Sequence, residues 1–154
     1  MEEFRVPTTA IEAELQLVDG RVVRGVIFAA ASTSAHSGPQ RVDEWFSEQA
    51  QFFAFRLEGA DGTELVSKHS VVRLSVPAQA VLDESAPAQT QQFRVTLECP
   101  GARFEGEVRV DMPDNRRRVL DYVNHPQTFI TLHDGKTAHL IPKRQVIRII
   151  QKPD

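Results

Sequence analysis

Leu15-Gln16-Leu17-Val18-Asp19-Gly20-Arg21-Val22-Val23-Arg24-Gly25-Val26-Ile27 returns in altered form later in the chain. The return is Val95-Thr96-Leu97-Glu98-Cys99-Pro100-Gly101-Ala102-Arg103-Phe104-Glu105-Gly106-Glu107-Val108. Each stretch carries two glycines five residues apart, flanked by alternating apolar residues. The likeness continues in order along both halves. Arg41-Val42-Asp43-Glu44-Trp45-Phe46 corresponds to Arg118-Val119-Leu120-Asp121-Tyr122-Val123. Phe52-Phe53-Ala54-Phe55 corresponds to Phe129-Ile130-Thr131-Leu132, and Asp61-Gly62 to Asp134-Gly135. Leu65 to Leu74 corresponds to Leu140 to Ile149. Ordered blocks with spacing changes only at loops are the mark of an internal repeat.

Within each half the pattern is that of strands. Ile11, Ala13, Leu15 and Leu17 alternate with polar residues, as do Phe93, Val95, Leu97 and Cys99. A period of two places one set on a buried face. Asp19-Gly20 and Pro100-Gly101 read as tight turns into a second strand. Gly25 and Gly106 fall inside that strand, where glycine permits a bulge, a bend or a close backbone approach. Val42, Trp45 and Phe46 stand at i, i+3 and i+4, as do Val119, Tyr122 and Val123, which predicts one short helix per half. Pro126 ends the second helix near Asn124. Trp45 and Phe46 are expected in the core, the alternative being partly exposed anchors for a partner. Three strands follow in the first half, Phe52 to Leu57, Leu65 to Ser67 and Val71 to Val76, with partners in the second. The boundaries expected are 1–76 for the first unit, 77–92 for a linker and 93–154 for the second unit. Residues 29–40 read as a length-variable loop.

The bulk properties narrow the function classes. The chain has 154 residues, a net charge of −3, 41% hydrophobic residues and a single cysteine. One cysteine forms no internal disulfide, and the acidic start, Met1-Glu2-Glu3, lacks the apolar core of a secretory signal. The apolar run Val26 to Ala31 is too short to span a bilayer. A cytoplasmic location, with no membrane partner, is therefore expected. Charge is uneven. Residues 11–76 carry nine acidic and six basic side chains, and residues 92–152 carry seven and eleven. Such an asymmetry is expected of head-to-tail contact between copies, of different partners for the two halves, or equally of drift on solvated surfaces.

These residues resemble the Sm-like, SH3-type small barrels. The closer likeness is to bacterial Sm-like domains with an Arg-x-x-Asp-aromatic-x-Asn segment and an apolar-x-Lys-x-x-apolar ending. Arg118, Asp121, Tyr122, Asn124, Lys143 and Val146 carry it in the second half. Arg41, Glu44, Trp45, Lys68 and Val71 carry it in the first, where Ser47 replaces the asparagine. The resemblance implies a mainly β chain of two tandem Sm-like small barrels, each with one short helix.

Chemistry is sparse. An RNA-binding Sm protein is expected to pair an Asp-Asn loop with an Arg-Gly or Lys-Gly loop. Asp114-Asn115 stands in the right region, but no glycine follows Lys143 or Arg144. Arg116, Arg117, Arg118, Lys143 and Arg144 still form a candidate patch for nucleic acid or another partner. The competing expectation for Arg118 is an ion pair with Asp121 at i+3. A cyclic-dinucleotide site of the PilZ type lacks its second motif. His125, His133 and His139 do not have zinc-site spacing and are expected to be exposed. Cys99 reads as a buried small hydrophobe. Lys68 and Lys143 occur in both halves, which favours a structural role. No catalytic residue, cofactor or metal ligand is expected. The expected function is a non-catalytic protein–protein interaction or assembly module of a bacterial complex, with a protein or a second copy of the chain as partner. The alternative is RNA binding by the basic second repeat, and a small-ligand sensor in a cleft between the barrels is a third reading.

Overall fold

The structure is a computed structural model that describes residues 7–33, 37–81, 91–110 and 118–153. The first half contains β1 (Thr8–Leu17), β2 (Val22–Ala30), α1 (Val42–Phe46), β3 (Phe52–Leu57), β4 (Glu64–Ser67) and β5 (Val71–Pro77). The second contains β6 (Gln91–Cys99), β7 (Ala102–Val110), α2 (Val119–Val123), β8 (Phe129–Asp134), β9 (Thr137–Pro142) and β10 (Arg148–Gln151). A 3₁₀ turn leads into the last strand of each half, at Lys68–Ser70 and at Lys143–Gln145. Both helices lie where the i, i+3, i+4 spacing predicts them, and α2 is capped by Asn124.

Register makes the repeat a structural fact. Gly25 lies opposite Ala13, and Gly106 lies opposite Val95. Phe52 pairs with Ser67 and Leu65 with Ala54, while Phe129 pairs with Pro142 and Leu140 with Thr131. Leu74 lies across from Leu15, as Ile149 lies across from Leu97. The first turn is longer: Leu17 N–H reaches Arg21 O at 2.9 Å, whereas Cys99 pairs with Ala102. Gly20 and Gly101 take positive φ of 91° and 71° there, a conformation glycine adopts without steric cost.

The expectation of two separately closed barrels needs correction. Among the described residues all ten strands belong to one antiparallel sheet, in the order β10-β6-β7-β8-β9-β5-β1-β2-β3-β4, and the sheet does not close into a barrel. The reason lies at the middle. The outer edge of β5 is paired by β9 of the other half, with Leu74 opposite Leu140 and Val76 opposite Ala138. Backbone N–H and C=O groups that closure within one half would have to satisfy are satisfied by the neighbouring half instead.

The core follows the same logic. One apolar cluster is built on Leu15, Ile27, Phe55 and Leu74 of the first half and takes in Phe129, Ala138 and Leu140 of the second. The other is built on Val95, Leu97, Leu132 and Ile141 and takes in Val72 of the first. Each half lends side chains to the other's core. Trp45 and Phe46 are buried, and Trp45 sits edge-on to Phe53 at 5.1 Å. Cys99 is buried, as expected, and burial pushes its thiol pKa up. The segment expected to be a linker is structured at both ends. β5 runs to Pro77, a 3₁₀ turn covers Ala78–Ala80, Ala80 and Val81 pack on the first core, and β6 begins at Gln91. Residues 82–90 lie outside the described residues, as do 34–36 of the variable loop. No helix among the described residues is long and apolar enough to cross a membrane.

The strand glycines are used for close approach. A Cβ on Gly25 would collide with the Arg56 carbonyl oxygen and stand 2.8 Å from Phe55 Cζ. A Cβ on Gly106 would stand 3.1 Å from both His133 O and Leu132 Cβ. Gly25→Ala is therefore expected to lower stability by about 2–3 kcal/mol, because a backbone oxygen has nowhere to go. Gly106→Ala should change it by no more than about 1 kcal/mol, since a small shift there is offset by the stiffer unfolded chain. Urea midpoints of the two variants check that order.

Candidate interaction surface

Arg116 and Arg117 lie outside the described residues. The other three residues of the basic patch each have a partner within the chain. Arg118 makes a two-pronged pair with Asp121, at 2.8 and 3.2 Å. Lys143 Nζ donates to His125 O at 2.6 Å. Arg144 Nη2 donates across the two halves to Lys68 O at 2.6 Å, beside Gln145 Nε2 on His69 O at 3.3 Å. Lys68 repeats the part of Lys143, donating to Glu48 O at 2.7 Å while lying 5.8 Å from the Trp45 ring centroid. Both lysines tie the loop after a helix to the turn before a last strand, and burial lowers both ammonium pKa values. This is the structural role that their presence in both halves favours.

The junction between the halves holds a polar cluster that the sequence did not reveal. Arg73 is buried and donates to Glu14 Oε1 at 2.9 Å, to Gln16 Oε1 at 3.4 Å and to Ser75 Oγ. Its guanidinium also lies over Phe104 of the second half, 5.6 Å from the ring centroid. Ser75 Oγ stands 2.6 Å from His139 Nδ1, and Asp134 Oδ2 lies 3.9 Å from His139 Nε2. Arg24 closes the array on Glu14 at 2.7 Å, and the two arginines hold that carboxyl below its ordinary range. Glu14, Arg24, Arg73, Ser75 and His139 line a cleft of about 670 Å³ that spans both halves.

A serine, a histidine and a carboxylate in a row have the connectivity of a nucleophile, its base and an orienting acid. The surroundings work against that use. Arg73 donates into the same Oγ and draws electron density from it. Burial, and then Arg73, lower the His139 pKa, which makes the ring a weaker base. The cluster links β1, β5 and β9 side by side. His133 and His139 are half-buried on strands, contrary to the expectation of exposure, while His125 is exposed. The described residues contain no group of three or more His, Cys, Asp or Glu able to hold a metal ion.

The ends of the sheet differ from its middle. Among the described residues β4 pairs only with β3, and β10 only with β6, so each leaves one edge of its backbone unpaired. Near the β4 edge Phe52 and Leu65 are 57% and 74% exposed, and beside β10 Ile147 is 69% exposed. A cleft of about 590 Å³ opens along β10, lined by Val119, Val123, Val146, Ile147 and Ile149. An edge strand with one free side is able to accept an added strand; Val18, Val22 and Leu120, away from both edges, are also more than half exposed. Alternation and spacing located these residues but not their exposure. No family model, curated protein or solved structure matches the chain.

His133, half-buried on β8, gives the fold a pH dependence that is open to test. Burial, and then the charge of Arg109, hold its pKa at about 4 against an ordinary 6.5. An unfolded chain takes up this proton near 6.5, whereas the folded chain resists it until about pH 4. The stability this difference confers is present above 6.5 and is lost as pH falls from there toward 4. The urea midpoint should fall more on acidification in the parent chain than in His133→Gln, whose side chain does not titrate.

Proposed function

We propose that the chain is a non-catalytic assembly module of the Sm-like kind, which holds protein partners by adding their strands to its two open edges. The observation that carries the reading is the pair of edge strands, β4 and β10, each with one side unpaired among the described residues and bordered by Phe52, Leu65 and Ile147 facing water. Strand addition supplies main-chain hydrogen bonds for affinity, and the alternate side chains supply choice of partner. Both halves have five strands, one helix and a glycine at the same register of the second strand, in keeping with the Sm-like resemblance. The polar cluster at the junction is satisfied within the chain and acts as a strut between the halves. Arg118, Lys143 and Arg144 are likewise engaged, which weakens the case for an RNA surface built on them.

The test is the native mass of the tagged chain in nuclease-treated lysate of cells that express it. The complex should survive the nuclease, and Phe52→Glu or Ile147→Glu should remove partners from one edge each. Loss of the complex on nuclease treatment would instead point to nucleic acid as the ligand. A complex unchanged by both edge variants would overturn strand addition.

A further inference from the structure

We infer that the groove between α1 of the first half and the β7–β8 face of the second binds a small zwitterion, an amino acid held by its carboxylate at Arg109 and by its ammonium at Asp43 and Glu44. The inference goes beyond the interaction-module reading and uses other surfaces, since neither β4 nor β10 lines this groove. The groove has a volume of about 520 Å³, in the range of small-molecule sites. Asp43, Glu44 and Ser47 on and just after α1 form one wall. Arg109 on β7, Thr131 on β8 and Tyr122 on α2 belong to the other.

Arg109 is the group that calls for a ligand. It is half-buried, no acceptor among the described residues reaches it, and its Nε is sealed from water. A buried donor left unmet costs its desolvation, and a charged one costs more. Other polar groups of the groove are met within the chain. Ser47 Oγ donates to Asp43 O at 2.8 Å, Gln127 Nε2 donates to Tyr122 O at 3.1 Å, and Tyr122 Oη accepts from Thr131 N–H at 3.3 Å. Beside Arg109 stands a second unmet nitrogen. Glu107 lies opposite His133, so Arg109, two residues on, shares that face, and His133 Nδ1 is also buried without a partner. The repeat shows that this is particular to the second half. At the matching positions the first half has Phe28 and Arg56, and there the guanidinium is exposed, 5.3 Å from the ring centroid.

Charge selects the kind of ligand. Asp43 and Glu44 share the groove with Arg109 but form no ion pair with it; both turn to Arg41, at 3.1 and 3.9 Å. Each carboxylate retains lone pairs for a further donor. A plain anion at Arg109 would also meet two carboxylates, and a plain cation at the carboxylates would also meet a guanidinium. A molecule with opposite charges at its two ends satisfies both walls. The arginine fork suits a carboxylate, which it holds through two parallel hydrogen bonds. Because the walls come from different halves, such a ligand fastens the first half to the second and stabilises the fold.

Glycine, 4-aminobutyrate and 6-aminohexanoate are probes of increasing span, with acetate and methylammonium as one-ended controls. At millimolar concentration at least one probe should raise the melting temperature of the purified chain, and neither control should. Arg109→Met should weaken that probe about tenfold or more, and Asp43→Asn with Glu44→Gln should do the same. Without a probe, Arg109→Met should melt no lower than the parent chain, because it removes an unmet charge and keeps an apolar stem. The ring resonances of His133 should move as the probe is added. Its pKa should rise from about 4 yet stay below 6.5, since the bound carboxylate offsets Arg109 and leaves burial, the larger cause, in place. A chain that no probe stabilises overturns the inference, as does a response that either control reproduces. Probe binding undiminished in Arg109→Met, or a lower melting temperature of that variant without a probe, overturns it as well. The edge variants Phe52→Glu and Ile147→Glu should bind the probe as the parent does, which keeps this test separate from that of the module reading.

Discussion

β5 pairs antiparallel with β9, with Leu74 opposite Leu140 and Val76 opposite Ala138. This pairing joins two halves of five strands each into one sheet and lets each half complete the other's core, with Val72 passing one way and Phe129, Ala138 and Leu140 the other. Small units of this length bury little apolar surface alone. Sharing a ladder and two cores gives each half the burial it lacks, and Arg144 and Gln145 tie the loops above the junction to Lys68 and His69.

That junction also explains the polar residues at its centre. A buried guanidinium is costly unless its donors are met, and Arg73 meets Glu14, Gln16 and Ser75 on its own side and the Phe104 ring on the other. Ser75 in turn reaches His139 on β9. At the far ends no such polar array continues: β10 has Ile150 where β5 has Ser75, and β4 has Glu64 where β9 has His139. The internal junction is polar and apolar together, while the two ends of the sheet carry exposed apolar side chains, Phe52 and Leu65 at one and Ile147 at the other.

Much of the local structure was legible beforehand. Period-two alternation located β1 and β6, the i, i+3, i+4 apolar triplets located α1 and α2, and the paired glycines marked the second strand of each half. The Arg118–Asp121 pair and the shared role of Lys68 and Lys143 followed from spacing and recurrence. Less legible were the half-buried histidines and the structured ends of the 77–92 segment. Their burial comes from neighbours distant in sequence, such as Ser75 lying against His139.

The duplication, the order of strands within each half, the short helices and the apolar face of each strand are all readable along the chain. These depend on residues near one another along the chain, through alternation, turn chemistry and helical spacing. The merging of the halves into a single open sheet, the choice of free edges and the covering of one of two equivalent apolar residues arise from pairing between distant segments. Phe52 and Phe129, or Leu65 and Leu140, are alike in pattern. What separates them is whether another half lies alongside, and in an antiparallel ladder that neighbour comes from a long-range pairing that alternation does not encode.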